Sequence, residues 1–103
     1  MFATIRRYEG VDPARTNEVS RKVKETLIPE LSKLDGFAGY FLIEGSNGVL
    51  SSLGLFETSD QADESGKLVS KWIAEEQFST VIPAAPKITS GKVVARSNGV
   101  AAS

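Results

Sequence analysis

The chain has 103 residues, enough for one small domain with a modest core. Its 12 Lys and Arg nearly balance its 13 Asp and Glu, so the net charge of −1 leaves no basic surplus for binding nucleic acid. The lack of cysteine and histidine excludes disulfides, Cys-ligated zinc or iron–sulfur centres, thiolate nucleophiles, His-ligated haem and a His general base.

Nothing in the sequence points to a membrane. No apolar run approaches the roughly 20 residues of a membrane span. The N-terminal residues MFATIRR contain no apolar segment of signal-peptide length. We therefore expect a cytoplasmic protein with no membrane partner and no nucleic-acid partner.

The first predicted element is a strand at 2–8 (FATIRRY), which mixes β-branched, aromatic and charged residues. A helix follows, with Asp12 as its N-cap and Pro13 at its first helical position. Its apolar stripe has helical spacing and comprises Val19, Val23, Leu27, Leu31 and Leu34. Because Pro29 has no N–H to donate to the carbonyl of Glu25, we expect a kink or a break there.

Two strands come next, at 37–44 (FAGYFLIE) and at 49–57 (VLSSLGLFE). The intervening residues 45–48 (GSNG) are a strong hairpin signal. A second helix begins at 58–60 (TSD), and its acidic first turn complements the helix dipole. Its apolar stripe comprises Ala62, Val69, Trp72 and Ile73.

Gly66 interrupts this second helix at a cost of about 1 kcal/mol of helix propensity relative to alanine, and we interpret it as a position of close packing. Residues 79–87 contain two prolines and are predicted to form an extended loop. A fourth strand is predicted at 88–96 (ITSGKVVAR).

The predicted order is β-α-β-β-α-β, which is the split βαβ or ferredoxin-like arrangement. This α+β fold has a four-stranded antiparallel sheet with two helices on one face. We expect a single domain at 1–97, followed by a C-terminal tail at 98–103.

Both faces of the predicted sheet carry apolar side chains. In the second strand one face has Phe37, Gly39, Phe41 and Ile43, and the other has Ala38, Tyr40, Leu42 and Glu44. Two helices cover only one face, and a sheet with its second face in water should alternate cleanly between apolar and polar residues. Since most soluble oligomers are symmetric, we expect a homodimer through the β-sheet face.

Two stretches and one tryptophan resemble a known superfamily. The stretches are 34–40 (LDGFAGY) and 53–62 (LGLFETSDQA), and the tryptophan is Trp72. They resemble the dimeric α+β barrel superfamily, and within it the antibiotic-biosynthesis-monooxygenase-like domains and related stress-responsive barrels. The likeness runs through residue 96. It implies a dimeric barrel that acts on an apolar aromatic or polyketide-like substrate without a cofactor or metal.

One branch of that superfamily does not fit this chain. Its haem-degrading members ligate iron through a His and use an Asn on the first strand. This chain has no His, and its first strand offers Thr4 and Arg6 instead. The resemblance therefore implies either cofactor-free oxygenation, in which the substrate carbanion does the reductive work, or ligand binding alone.

The candidate ligand pocket lies between the sheet and the helices and involves Arg6, Tyr8, Tyr40 and Trp72, while catalytic residues stay unassigned and no metal site is predicted. Arg6 is either an anion anchor or part of an edge or interface salt bridge. The tyrosines either donate hydrogen bonds to a ligand or bury their rings with the hydroxyls at the rim. Trp72 either stacks on a planar ligand or belongs to the core.

Three functional classes stay open. The first is a monooxygenase-like enzyme, the second is a non-catalytic small-ligand-binding or stress-response module, and the third is an accessory domain whose dimer surface is its purpose. Because histidine and cysteine are missing, no residue type of mid-range pKa is available, which weakens the case for an enzyme. An enclosed pocket that contacts Arg6, Tyr40 or Trp72 would favour the first two classes.

Overall fold

Four strands form one antiparallel sheet in the order β2-β3-β1-β4 in the computed structural model, which describes residues 1–97. The strands are β1 (Phe2–Tyr8), β2 (Phe37–Glu44), β3 (Leu50–Phe56) and β4 (Lys87–Lys92). Helices precede β2 and β4, as the sequence predicts. The ferredoxin-like α+β fold is therefore confirmed.

The segment between β1 and β2 is helical but changes its winding along its length. Its successive parts are a 3₁₀ turn (Pro13–Arg15), α1 (Thr16–Lys22), a π-helical stretch (Val23–Leu27) and α2 (Ile28–Ser32). Asp12 Oδ1 accepts a hydrogen bond from the Ala14 N–H at 3.0 Å, which confirms the predicted N-cap. The break expected at Pro29 takes the form of the π-helical stretch just before it, since a proline cannot donate the α-helical bond to Glu25.

The second long helix, α3 (Ser59–Glu75), begins with a capping box. The Gln61 N–H donates to Thr58 Oγ1 at 3.3 Å, and the Thr58 N–H donates to Gln61 Oε1 at 3.0 Å. Two otherwise orphaned donors are satisfied at this end, which explains why the helix begins where the sequence predicts.

A polar contact joins α3 to the π-helical stretch. The Trp72 Nε1–H donates to Thr26 Oγ1 at 2.7 Å, and Thr26 Oγ1 in turn donates to the Lys22 carbonyl at 2.8 Å. The Trp72 ring also packs edge-on against Phe78, with ring centroids 5.5 Å apart. These contacts fix α3 beside the π-helical stretch.

The helices cover one face of the sheet and leave the other open. Buried side chains from the sheet include Tyr8, Leu50 and Phe56, which pack against buried residues of the helices. On the opposite face Ile5, Phe41 and Ile43 are 43%, 56% and 55% exposed. This open apolar face is the one that the strand alternation predicts.

A β-bulge at Ala38 changes the facing of one aromatic residue. Phe37 pairs with Phe56 while Gly39 pairs with Leu55, so Ala38 has no partner in the register. The rings of Phe37 and Phe56 lie 5.9 Å apart in an edge-on arrangement. The prediction that Phe37 shares a face with Phe41 and Ile43 is therefore wrong, because one extra residue shifts the alternation.

The C-terminal part of the chain differs from the prediction in one respect. Strand β4 ends at Lys92 rather than at residue 96. The tail expected at 98–103 lies outside the residues that the structure describes. Within residues 1–97, no helix is long and apolar enough to cross a membrane.

The Thr26–Trp72 contact leads to a first prediction. Thr26→Val removes the acceptor of the indole N–H at nearly constant volume, so the free energy of unfolding should fall by about 1–2 kcal/mol. Thr26→Ser keeps the hydroxyl and should stay close to the unmodified protein. Urea denaturation of the three proteins checks this, and equal stability of the Val and Ser variants would contradict it.

Candidate ligand-binding cleft

A cleft of about 460 Å³ opens between α3 and the part of the sheet formed by β1 and β4. We call it the Arg6 cleft. Strand β1 contributes Thr4, Arg6 and Tyr8; α3 contributes Ala62, Asp63, Gly66, Lys67 and Ser70; and the β4 side contributes Pro86, Ile88 and Ser90.

Strand alternation places the polar residues of β1 in this cleft. β1 lies between β3 and β4, so its side chains point alternately toward the helices and away from them. Thr4 and Arg6 are only 3% and 6% exposed, whereas Ile5 between them is 43% exposed on the other face. The helix-facing side of β1 thus carries a positively charged residue, Arg6, within the strand.

The Arg6 guanidinium lies directly against α3 at Gly66. A Cβ atom at position 66 would come within 2.5 Å of Arg6 Nη2. Such a distance is too short for a carbon and a nitrogen, so only glycine lets the guanidinium lie where it does. The interpretation of Gly66 as a position of close packing is confirmed.

Arg6 has no partner of its own chain in the part of the structure that covers residues 1–97. No carboxylate oxygen there lies within 4.0 Å of its nitrogens, and no protein group forms a hydrogen bond with them. The neighbouring Arg7, by contrast, points to the other face and pairs with Glu9 at 3.5 Å. The edge salt bridge considered for Arg6 is therefore absent within this range.

The two tyrosines pack with the core, Tyr8 as a buried residue and Tyr40 as a partly buried one. Tyr8 contacts both the cleft and the core, and burial raises the pKa of its phenol although the charge of Arg6 opposes the shift. Burial raises the pKa of Tyr40 to about 12, against the opposing effects of a hydrogen bond with the Ser52 side chain and of the Arg6 charge. Tyr40 does not line the cleft.

Trp72 lies on another side of α3. It is 8% exposed and belongs to the core, and its edge borders a separate groove between α3 and the π-helical stretch. The interior bounded by Tyr8, Tyr40 and Trp72 is filled except for about 20 Å³. The structure thus brings Arg6 and Tyr8 together, while Tyr40 and Trp72 lie outside the cleft.

Several cleft residues were not among the sequence candidates. The sequence could have identified Thr4 as a cleft residue, because Thr4 lies two residues before Arg6 and so on the same face of the predicted strand. The sequence could not have identified Ser90, because Ser90 lines the cleft only as a result of the pairing of β4 with β1. In that pairing Ser90 lies opposite Thr4. Ser70 follows Gly66 by one helical turn and contacts the same space.

Comparisons with known proteins support the fold and reach no further. No protein-family model matches the chain, and no curated protein matches it. A protein of unknown function from Nitrosomonas europaea is similar in structure, with a TM-score of 0.72 and 14% identity, covering 93% of this chain and 91% of the other.

Two further structures carry names that mention monooxygenases. A protein of Caulobacter crescentus, provisionally named an antibiotic biosynthesis monooxygenase, has a TM-score of 0.71 and 18% identity, covering 91% of this chain and 90% of its own. A monooxygenase of Streptomyces coelicolor in complex with nanaomycin D has a TM-score of 0.66 and 14% identity, with 92% of each chain covered. The chain therefore has the ferredoxin-like fold of antibiotic-biosynthesis-monooxygenase-like proteins.

The partly buried Tyr40, whose pKa is raised, predicts a loss of stability in alkali. Between the ordinary pKa of 10.0 and the native value of about 12, the native state keeps a proton that the unfolded state has lost. The free energy of unfolding should therefore fall as pH rises through this range, by up to about 1.4 kcal/mol per pH unit.

Tyr40→Phe removes this contribution, so its stability should decline less steeply than that of the unmodified protein. Urea denaturation on both sides of the ordinary tyrosine pKa measures the two slopes. If the free energy of unfolding declined with pH at the same slope in both proteins, Tyr40 would have the same pKa in the native and the unfolded state, which would contradict the prediction.

Proposed function

We propose that this protein is a cofactor-independent, monooxygenase-like enzyme that acts on an apolar aromatic or polyketide-like substrate in the Arg6 cleft. The observation that carries the proposal is the cleft itself, at whose floor the buried Arg6 has no partner among residues 1–97. Its volume of about 460 Å³ is within the range that small-molecule sites occupy. The structurally similar Streptomyces coelicolor monooxygenase is in complex with the ligand nanaomycin D.

The proposed reaction balances without an external reductant. An anthrone-type CH₂ group loses a proton to give a carbanion, which transfers electrons to O₂. One oxygen atom becomes the new carbonyl oxygen, and the other leaves as water with the two hydrogens of the CH₂ group. The substrate supplies all four electrons, so the protein has to bind, orient and shield it.

We further propose that the working unit is a homodimer joined through the open face of the sheet. The exposed side chains of Ile5, Phe41 and Ile43 lie on that face, where no helix covers them. A second copy of the same face would bury them and close the two sheets into an α+β barrel. The Arg6 cleft lies on the opposite, helix-covered face and stays accessible in such a dimer.

A non-catalytic ligand-binding or stress-response module is the second candidate, and one observation favours it. Burial raises the pKa of Tyr40 to about 12 and also raises the pKa of Tyr8, which disfavours the phenolate form that a tyrosine base would need. The same cleft would then hold a ligand without transforming it. Binding and turnover therefore have to be measured separately.

Oxygen uptake with anthrone tests the enzyme. Uptake should exceed the spontaneous oxidation of anthrone, with one O₂ consumed per substrate. Ser70→Trp, which places a large ring in the cleft from the exposed surface of α3, should abolish the excess. Ser59→Trp, at the exposed beginning of the same helix, is the matched control and should retain it.

The outcomes separate the two candidates. Anthrone binding without oxygen uptake would select the ligand-binding module. Neither binding nor uptake would contradict both. Uptake that Ser70→Trp leaves intact would show that the reaction takes place outside the Arg6 cleft.

The dimer is tested by a charge on the open face. Phe41→Glu should convert the dimer to a monomer in sedimentation velocity, because it would bury a carboxylate at the centre of the interface. Ile88→Glu is the control, since Ile88 is similarly exposed, at 58%, but lies on the other face. A monomeric unmodified protein at micromolar concentration would contradict the proposal.

A further inference from the structure

The floor of the Arg6 cleft holds polar side chains that form no side-chain hydrogen bond within residues 1–97. The polar or charged residues buried among residues 1–97 are Thr4, Arg6, Thr16, Ser52 and Ser65. Thr16 Oγ1 donates to the Pro13 carbonyl at 3.3 Å, and Ser65 Oγ donates to the Ala62 carbonyl at 2.6 Å. Ser52 forms a hydrogen bond with the Tyr40 side chain.

Thr4 and Arg6 are the exceptions in this group. Neither side chain has a hydrogen-bond partner within residues 1–97. Yet no fully enclosed side-chain nitrogen or oxygen in that range lacks a partner. The polar atoms of Thr4 and Arg6 must therefore be reachable from the cleft that both residues line.

The charges that line the cleft indicate which kind of ligand would fit there. A guanidinium is permanently charged and carries five N–H donors in a planar fork, and burying it without an anion is costly. The lining holds two cationic side chains, Arg6 and Lys67, and one carboxylate, Asp63. Lys67 pairs with Glu64 at 3.3 Å on the exposed surface of α3. Of the two cations, Arg6 is therefore the one without a counter-charge in the described part of the chain.

We propose that the Arg6 cleft selects ligands that carry an ionised oxygen, a carboxylate or a phenolate, held against the Arg6 guanidinium. The Thr4 hydroxyl and the Ser90 hydroxyl opposite it are the further donors. This inference rests on the proposed function, because it assigns a charge class to the ligand of the same cleft.

Gly66 is the residue that determines this specificity. Its missing Cβ leaves room for the guanidinium beside α3, with Nη2 2.5 Å from where a Cβ would be. A side chain at position 66 would therefore force the guanidinium to shift. The charge would persist, but its alignment with Thr4 and Ser90 would be lost.

Matched pairs of probes test the charge class on the unmodified protein. Calorimetric titration compares naphthoate with neutral naphthamide, and nitrophenolate, above its pKa, with neutral nitroanisole. The anion of a pair should bind roughly 10- to 100-fold more tightly than its neutral counterpart, as a charge-assisted hydrogen bond gives. A larger ratio of anionic to neutral affinity for the naphthoate pair identifies the ligand oxygen as a carboxylate, and a larger ratio for the nitrophenolate pair identifies it as a phenolate.

Variants locate the effect at Arg6. Arg6→Gln should reduce the ratio to about one, whereas Arg7→Gln, which removes the same charge from the opposite face of β1, should preserve it. Gly66→Ala keeps every charge and should still lower the ratio by roughly tenfold. Gly91→Ala is its control, since a Cβ there meets nothing within 4 Å.

Each outcome bears on the inference in a distinct way. Equal affinity for anionic and neutral probes would overturn it while leaving an apolar cleft, and hence the proposed function, in place. If Arg6→Gln and Arg7→Gln lowered the ratio of anionic to neutral affinity equally, the inference would be overturned as well. The net charge of the protein, and not the position of Arg6, would then explain the preference for anions. Binding of none of the four probes would overturn the proposed function together with the inference.

Discussion

The alternation of side chains along β1 is the constraint on which both surfaces of the molecule depend. Because β1 is paired on both sides, its pleat is shared by β3 and β4, and no single strand can turn independently. The result is an unusual distribution, with Thr4 and Arg6 on the helix-covered face and Ile5 on the open face. The polar cleft and the apolar outer surface are two consequences of one register.

The position of α3 divides the helix-covered side into separate regions. The Trp72–Thr26 hydrogen bond holds α3 close to the π-helical stretch, and the space between them and the sheet is filled. On its other side α3 stands away from β4, which leaves room for the cleft. Trp72 thus has a structural role in keeping the cleft where it is, although it contacts no part of it.

The sequence was sufficient for the element order and for most boundaries, because caps, turns and periodicity are local properties. Strands at 2–8 and 37–44 and the Asp12 cap were predicted as found. The grouping of Arg6 with Tyr8 followed from alternation alone. The divergence of Tyr40 and Trp72 could not be predicted, since it depends on how far the helices lie from the sheet. The bulge at Ala38 left no mark in the residue pattern.

That bulge has a consequence for how chains of this fold diverge. An insertion of one residue within a strand does not lengthen the hairpin; it reverses the facing of everything on one side of it. Here it assigns Phe37 to the core, next to Phe56, rather than to the surface that already bears Phe41. Deletion of Ala38 would restore regular alternation and turn the partly buried Phe37 ring toward the outer surface. Insertions and deletions at this point can change how much apolar surface a protein exposes without changing its fold.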